Sequence, residues 1–238
     1  MLVKGFGVVA GHRRLFLAGV LVLAVVLGAL VQAERLDAFV VLLVLPLSLL
    51  ALSVLAAYRY HPATLAVRPE PPAFATASPL APVFMAAAFM ILAGCTVSED
   101  VSDIVNGEQP WVLTVVMIGF WVLVVGLHLY VALGSFGVRL RPEGVDNRQP
   151  LGSMFIPWAA FAPGYPAVPV KNNGLVLYYQ RPELIRRRGL RVGSDSLLTG
   201  TDAAYLAHVI HRYVANPEHR PAIGTEAELR GLTERIAA

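Results

Sequence analysis

Apolar positions along the chain gather into four long runs and then break into short alternating stretches. Residues 15–33 carry one polar side chain, Gln32, over a length that matches the roughly 20 helical residues needed to cross a hydrocarbon core about 30 Å thick. This run predicts a membrane span. Residues 38–57 form a second run, interrupted by Pro46, Ser48 and Ser53, and the short 34–37 link makes it an antiparallel partner of the first. Residues 80–97 are shorter and alanine-rich, with Pro82 in the first turn, where a missing N–H costs least. Residues 111–133 are the longest run, with Trp111 and Tyr130 placed for the two headgroup levels.

From Gly134 onward the period changes to that of strands. Gly137-Val138-Arg139-Leu140-Arg141 alternates, Pro142-Glu143-Gly144 turns it, residues 153–158 form a second apolar stretch, and residues 175–180 follow a turn at Lys171-Asn172-Asn173-Gly174. Residues 161–169 are too rich in Pro and Gly for a clean strand. Next, Tyr205, Leu206, Val209, Ile210, Tyr213 and Val214 recur at helical spacing up to Pro217, with Thr201 as the expected N-cap. A last short helix is expected from Thr225, whose spacing to Glu228 fits a capping box. The expected organisation is a four-helix transmembrane domain over 1–134, a small α+β domain over 135–216 and a tail over 217–238.

Composition sharpens this picture. The chain of 238 residues is 56% hydrophobic and 15% charged, against roughly 45–50% and about 25% in soluble domains. Lys and Arg near span ends stay on the cytoplasmic side. Eighteen of the 19 basic residues fall on one side if both termini are cytoplasmic; Arg35 alone falls opposite, and the 98–110 loop holds four acids and no base. The expected location is therefore a cell membrane, multi-pass, with N- and C-termini on the cytoplasmic side. A competing reading takes Arg13-Arg14 and Val31-Gln32-Ala33 as an export signal with its cleavage site. The apolar run exceeds the 7–15 residues usual in such signals and a second span follows closely, which favours a retained first span.

A membrane helix leading into Gly137-Val138-Arg139-Leu140-Arg141-Pro142-Glu143-Gly144-Val145, then Ile156-Pro157-Trp158, further strands and one helix, resembles the bacterial pleckstrin-homology (PH)-like domain of actinobacterial membrane proteins. The resemblance covers roughly residues 135–216. It implies a bent antiparallel sheet or barrel of about seven strands closed by one helix, and a binding and scaffolding role in place of catalysis. About four of those strands have a visible signal in the sequence.

Candidate chemistry is sparse. Five arginines, Arg181, Arg186, Arg187, Arg188 and Arg191, fall within residues 181–191. Held near a cytoplasmic leaflet, such a cluster attracts anionic headgroups at about 1 kcal/mol per residue; the other reading is a solvated turn. His208 and His211 have an i, i+3 spacing that can share a metal, but they project opposite the apolar face with no third ligand in register. Within the spans, His128 and Cys95 stand out, and Gly119 and Gly126 suit close helix packing. One cysteine excludes an internal disulfide. No phosphate-binding loop, nucleophile elbow or zinc-protease motif is present, nor any aromatic and basic interleaving of a nucleic-acid binder. The expectation is a non-enzymatic membrane protein without cofactor or metal, presenting a PH-like domain to a protein partner, with anionic lipid as a second surface and a homo-oligomer left open. The alternative is a transporter or channel component gated by the C-terminal domain. An enzyme would need a site assembled from His128, His208, His211 and scattered carboxylates.

Overall fold

The computed structural model describes residues 2–33, 35–37, 40–105, 110–170, 173–190 and 196–237. The chain divides into two compact units: residues 1–60 with 80–134, and residues 61–79 with 135–238.

The first unit is helical. A short α1 (Leu2–Gly11) precedes α2 (Arg13–Gln32), α3 (Leu45–Arg59), α4 (Ala81–Val105) and α5 (Trp111–Leu133). Four of its helices are long and apolar enough to cross a bilayer, over Arg13–Gln32, Val41–Arg59, Ala81–Glu99 and Trp111–Leu133, in agreement with the four runs. Residues Val40–Val44 wind as a wider π-helical turn just ahead of Pro46. A proline lacks the N–H and crowds the carbonyl four residues back, and a wider turn relieves that clash. The alanine-rich α4 is central, with half of its span buried against 6% for α5, because small side chains let three neighbours approach.

The closest approach is between α2 and α4. A methyl group added at Gly94 would lie 2.8 Å from the Ala24 carbonyl oxygen, and one at Gly28 would lie 2.8 Å from the Gly94 carbonyl oxygen. Gly119 and Gly126, the glycines expected to pack, have open space around them. Arg13, half of the supposed export pair, donates from its guanidinium to the carbonyls of Ala132 and Leu133, both at 3.2 Å, and of Gly134 at 3.4 Å. It thus satisfies the bare carbonyl end of α5 and its dipole.

The second unit is an antiparallel β structure with two helices. Its strands are β1 (Leu65–Arg68), β2 (Ala73–Thr76), β3 (Gly137–Arg141), β4 (Gly144–Gln149), β5 (Gly152–Pro157), β6 (Ala167–Val170), β7 (Gly174–Leu177), β8 (Arg186–Gly189) and β9 (Ser196–Leu198), followed by α6 (Ala203–Ala215) and α7 (Glu226–Ala237). One sheet has the order β1-β2-β3-β4-β5-β8 and the other β6-β7-β9. Both sheets are open among the described residues, so no closed barrel forms. Seven strands lie between residues 137 and 198, where the sequence signalled about four. β6 tolerates Pro169 because it is an edge strand, where no ladder bond is lost on the outer side.

Two boundaries differ from expectation. The connection after the second span contains the β1–β2 hairpin, whose Phe74 and Ala75 pair with Leu140 and Arg139 of β3. The tail also belongs to the unit, since Ile223 and Leu232 are buried in the same core as Phe74, Leu140, Met154, Ile156 and Tyr213. Thr201 joins these parts without capping α6: its hydroxyl accepts from the Ala77 N–H (2.9 Å) and donates to the Thr64 carbonyl (3.2 Å). Asp202 caps α6, accepting from the Tyr205 N–H at 2.8 Å. Thr225 accepts from the Glu228 N–H at 3.3 Å, as the capping box requires, but the Glu228 carboxylate turns to the Tyr213 hydroxyl (3.2 Å) and Arg212 (3.7 Å).

Candidate functional site

The two halves of the Pro-Glu-Gly and Pro-Trp motif meet across a strand pair. Gly144 faces Pro157 in register, and the Trp158 indole N–H donates to the Arg141 carbonyl at 2.9 Å. Residue 144 must be glycine, because a side chain there would run into the backbone of Ile156 and Pro157. Trp158 stacks near Phe161 and Tyr213, each at 5.8 Å between ring centroids, and Arg220 sits 5.7 Å above its ring. Desolvation raises the Tyr213 hydroxyl pKa well above the ordinary tyrosine value, and the adjacent Glu228 adds to this. This corner is core architecture that holds the sheet; the charged side chains of the sheet lie on the opposite face.

That face follows from alternation. In β3, Val138 and Leu140 enter the core, so Arg139 and Arg141 emerge on the other side. In β4, Val145 goes inward, and Asp146 and Arg148 go outward; in β5, Met154 and Ile156 go inward, and Ser153 and Phe155 go outward. Register then aligns the outward residues into rows: Ala66, Ala75, Arg139, Asp146, Phe155 and Arg186 in one, and Gly137, Arg148, Ser153 and Arg188 in the next. Arg68, two residues beyond Ala66, shares the same side. Among the strand residues, one sheet face therefore carries Arg68, Arg139, Arg141, Arg148, Arg186 and Arg188 against one carboxylate, Asp146, with Glu143 of the β3–β4 turn at its rim.

Asp146 organises the centre. Its Oδ2 lies 3.3 Å from Arg141 Nη2 and accepts from Arg148 Nε at 3.1 Å, and its side chain is 10% exposed. Arg139, 8% exposed, donates to the Ser135 carbonyl at 3.0 Å. Burial lowers the Arg139 pKa, the nearby Arg148 and Arg68 lower it further, and Asp146 opposes them. Like charges thus stand within electrostatic reach of one another, a costly arrangement unless an anion offsets it.

Two shallow hollows open on this face. One, about 300 Å³, is lined by Arg141, Arg148, Arg186 and Arg188, with Ser153 and Phe155 beside Asp146. The other, about 540 Å³, shares Arg141, Phe155 and Arg186 and continues along Pro71, Pro72 and Glu143. Of the five arginines expected from the 181–191 cluster, Arg186 and Arg188 join the face. Arg187 sits at the intervening register position, opposite Met154, and so on the other face; Arg181 precedes a short turn at Pro182–Leu184, its N–H donating to the Ala160 carbonyl at 3.2 Å. Arg191 lies outside the described residues. The cluster is thus divided by strand alternation, and Arg68, Arg139, Arg141 and Arg148 complete a face that the linear spacing had hidden. Its signal was present in the V-R-L-R and V-D-N-R alternations, which place every second residue on one side.

Of the remaining candidates, His128 and Cys95 are packing residues. The His128 ring bonds through Nδ1 to the Val124 carbonyl of its own helix at 2.8 Å and stacks on Phe89 at 4.3 Å. Cys95 is buried in the helical core. His208 and His211 are exposed on α6, and among the described residues no three His, Cys, Asp or Glu side chains gather as a metal site.

These features give the chain four helices long and apolar enough to cross a membrane, as in a multi-pass membrane protein, and an antiparallel β unit that carries an arginine face. Compared with known proteins, the chain matches no family model, no curated protein and no solved structure at a significant level.

Proposed function

We propose that this is a non-enzymatic protein of the bacterial cell membrane whose β unit, PH-like in construction, is held at the cytoplasmic face as a binding and scaffolding module. Its occupant is a protein partner with an acidic surface, and anionic headgroups form a second contact. The observation that carries this reading is the outer face of the six-stranded sheet, where six arginines drawn from β1, β3, β4 and β8 outnumber the one strand carboxylate, Asp146, and Glu143 at the rim. A solvated sheet face normally mixes both signs, and a single-sign field steers and retains oppositely charged surfaces. Seven strands followed by a helix support the PH-like reading, and the 18 of 19 basic residues on one side support the cytoplasmic assignment.

The test is co-purification of the full chain from its own membranes in mild neutral detergent, quantified by mass spectrometry. R186E/R188E is expected to lose the partner while the protein still inserts and keeps its melting temperature. Partner recovery equal to wild type overturns the proposal.

A further inference from the structure

Within the face assigned above to an anionic partner, and resting on that reading of its charge, we infer a discrete binding site for an organic phosphate ester, its phosphate among Arg141, Arg148, Arg186 and Arg188 and its organic part along Phe155, Pro71 and Pro72. The guanidiniums come from β3, β4 and β8, while β5 supplies Ser153 and Phe155 between them, so the site stands on a hydrogen-bonded scaffold and not on a loop. Asp146 occupies one edge of Arg141 and of Arg148 and sets their positions. Arg186 and Arg188 are exposed and make no ion pair among the described residues, and the Arg141 Nε is buried without a hydrogen-bond partner there. The hollow therefore holds more donors than its one carboxylate can accept.

The ligand class follows from donor geometry. A guanidinium presents paired donors in a planar fork, and several forks around one point fit a group with three acceptor oxygens and up to two charges better than a lone carboxylate. The larger hollow then matters, because it continues from the same Arg141, Phe155 and Arg186 into a wall of Pro71 and Pro72. A phosphate carrying an apolar or sugar-like substituent fills both; inorganic phosphate fills one. Glu143, on the rim of the larger hollow, repels a second anionic group at that end.

The experiment uses the full chain in phosphatidylcholine nanodiscs, titrated with phenyl phosphate and with inorganic phosphate and followed by calorimetry. Saturable binding is expected, tighter for phenyl phosphate. R186Q/R188Q, whose wild-type side chains are exposed and make no ion pair among the described residues, is expected to weaken it by at least about tenfold while the melting temperature stays put, and R230Q on α7 leaves it unchanged. The source of the phosphate is read from a second bilayer. If phosphatidic acid in the nanodisc weakens phenyl phosphate binding more than phosphatidylglycerol does at matched charge, the ester is a lipid headgroup; if the two act alike, it is a free phosphate compound. Either result supports the site. Absence of saturable phosphate binding, or equal binding in wild type and R186Q/R188Q, overturns it. Capture of polyglutamate without phosphate also overturns it and leaves the face to an acidic protein, so the site can fail while the partner assignment stands.

Discussion

Phe74 provides the sharpest test of how the chain is assembled, because it lies between two membrane spans yet is 0% exposed in the core of the β unit. Its strand partner is Leu140, also fully buried, more than sixty residues away. Phe74→Ala removes the ring from that core, and such truncations cost about 3–5 kcal/mol when the cavity does not collapse. Against a whole-domain stability of roughly 5–15 kcal/mol, this is a large share. The assay is hydrogen exchange by mass spectrometry on the full chain in detergent, reading amides of β3, β4 and β5. Exchange through cooperative opening should accelerate by about two to three and a half orders of magnitude, which is the same energy expressed as an equilibrium constant. Val116→Ala, on an exposed face of α5, should leave those amides untouched. Unchanged protection in β3–β5 after Phe74→Ala would refute the assignment of the hairpin to this unit. The same reasoning predicts that a 135–238 fragment folds poorly unless residues 61–79 are supplied with it, since β3 would lose its β2 neighbour.

Three further outcomes are expected. Gly94→Val drives a side chain into the Ala24 backbone and should lower the detergent melting temperature, at a cost of about 1–3 kcal/mol, whereas Gly119→Val should be neutral for the isolated protein. Asp146→Asn removes the acceptor that holds Arg141 and Arg148, so thermal unfolding should show a loss of about 1–3 kcal/mol and calorimetry a tighter grip on phenyl phosphate. The Tyr213 pKa is raised on folding, so its contribution to stability is complete below the unfolded tyrosine pKa of about 10 and declines as pH rises above it. Melting temperatures should therefore show no Tyr213-dependent fall between pH 8 and about 10 and should fall above that, and Tyr213→Phe should flatten the fall.

The membrane spans were legible because bilayer thickness imposes a length and a polarity that no local context overrides. β3 was legible from end to end for a related reason: a half-buried strand alternates, and Gly137 to Arg141 alternates without interruption. β1, β2 and β6 were not, since four residues interrupted or flanked by proline carry no period, and the pairing that ties the β1–β2 hairpin to β3 lies far along the chain. The arginine face was half legible. Residues 181–191 stand out as a run of charge, but a strand sends alternate residues to opposite faces, and only register could bring Arg186 and Arg188 beside Arg141 and Arg148. The helix packing was misjudged for a similar reason: glycines seven apart on α5 have the right spacing, but α2 and α4 make the close approach, through Gly28 and Gly94.

The central claim is that the outer sheet face, and not the rest of the β unit, is the working surface. Site-specific photo-crosslinking in living cells tests it directly, with a photoreactive phenylalanine analogue placed at Phe155 and, in a second strain, at the exposed Glu234 of α7. The account predicts one dominant protein adduct at Phe155, absent from the Glu234 strain and lost when R186E/R188E is introduced. No adduct at Phe155, or one that survives the charge reversal, would contradict it.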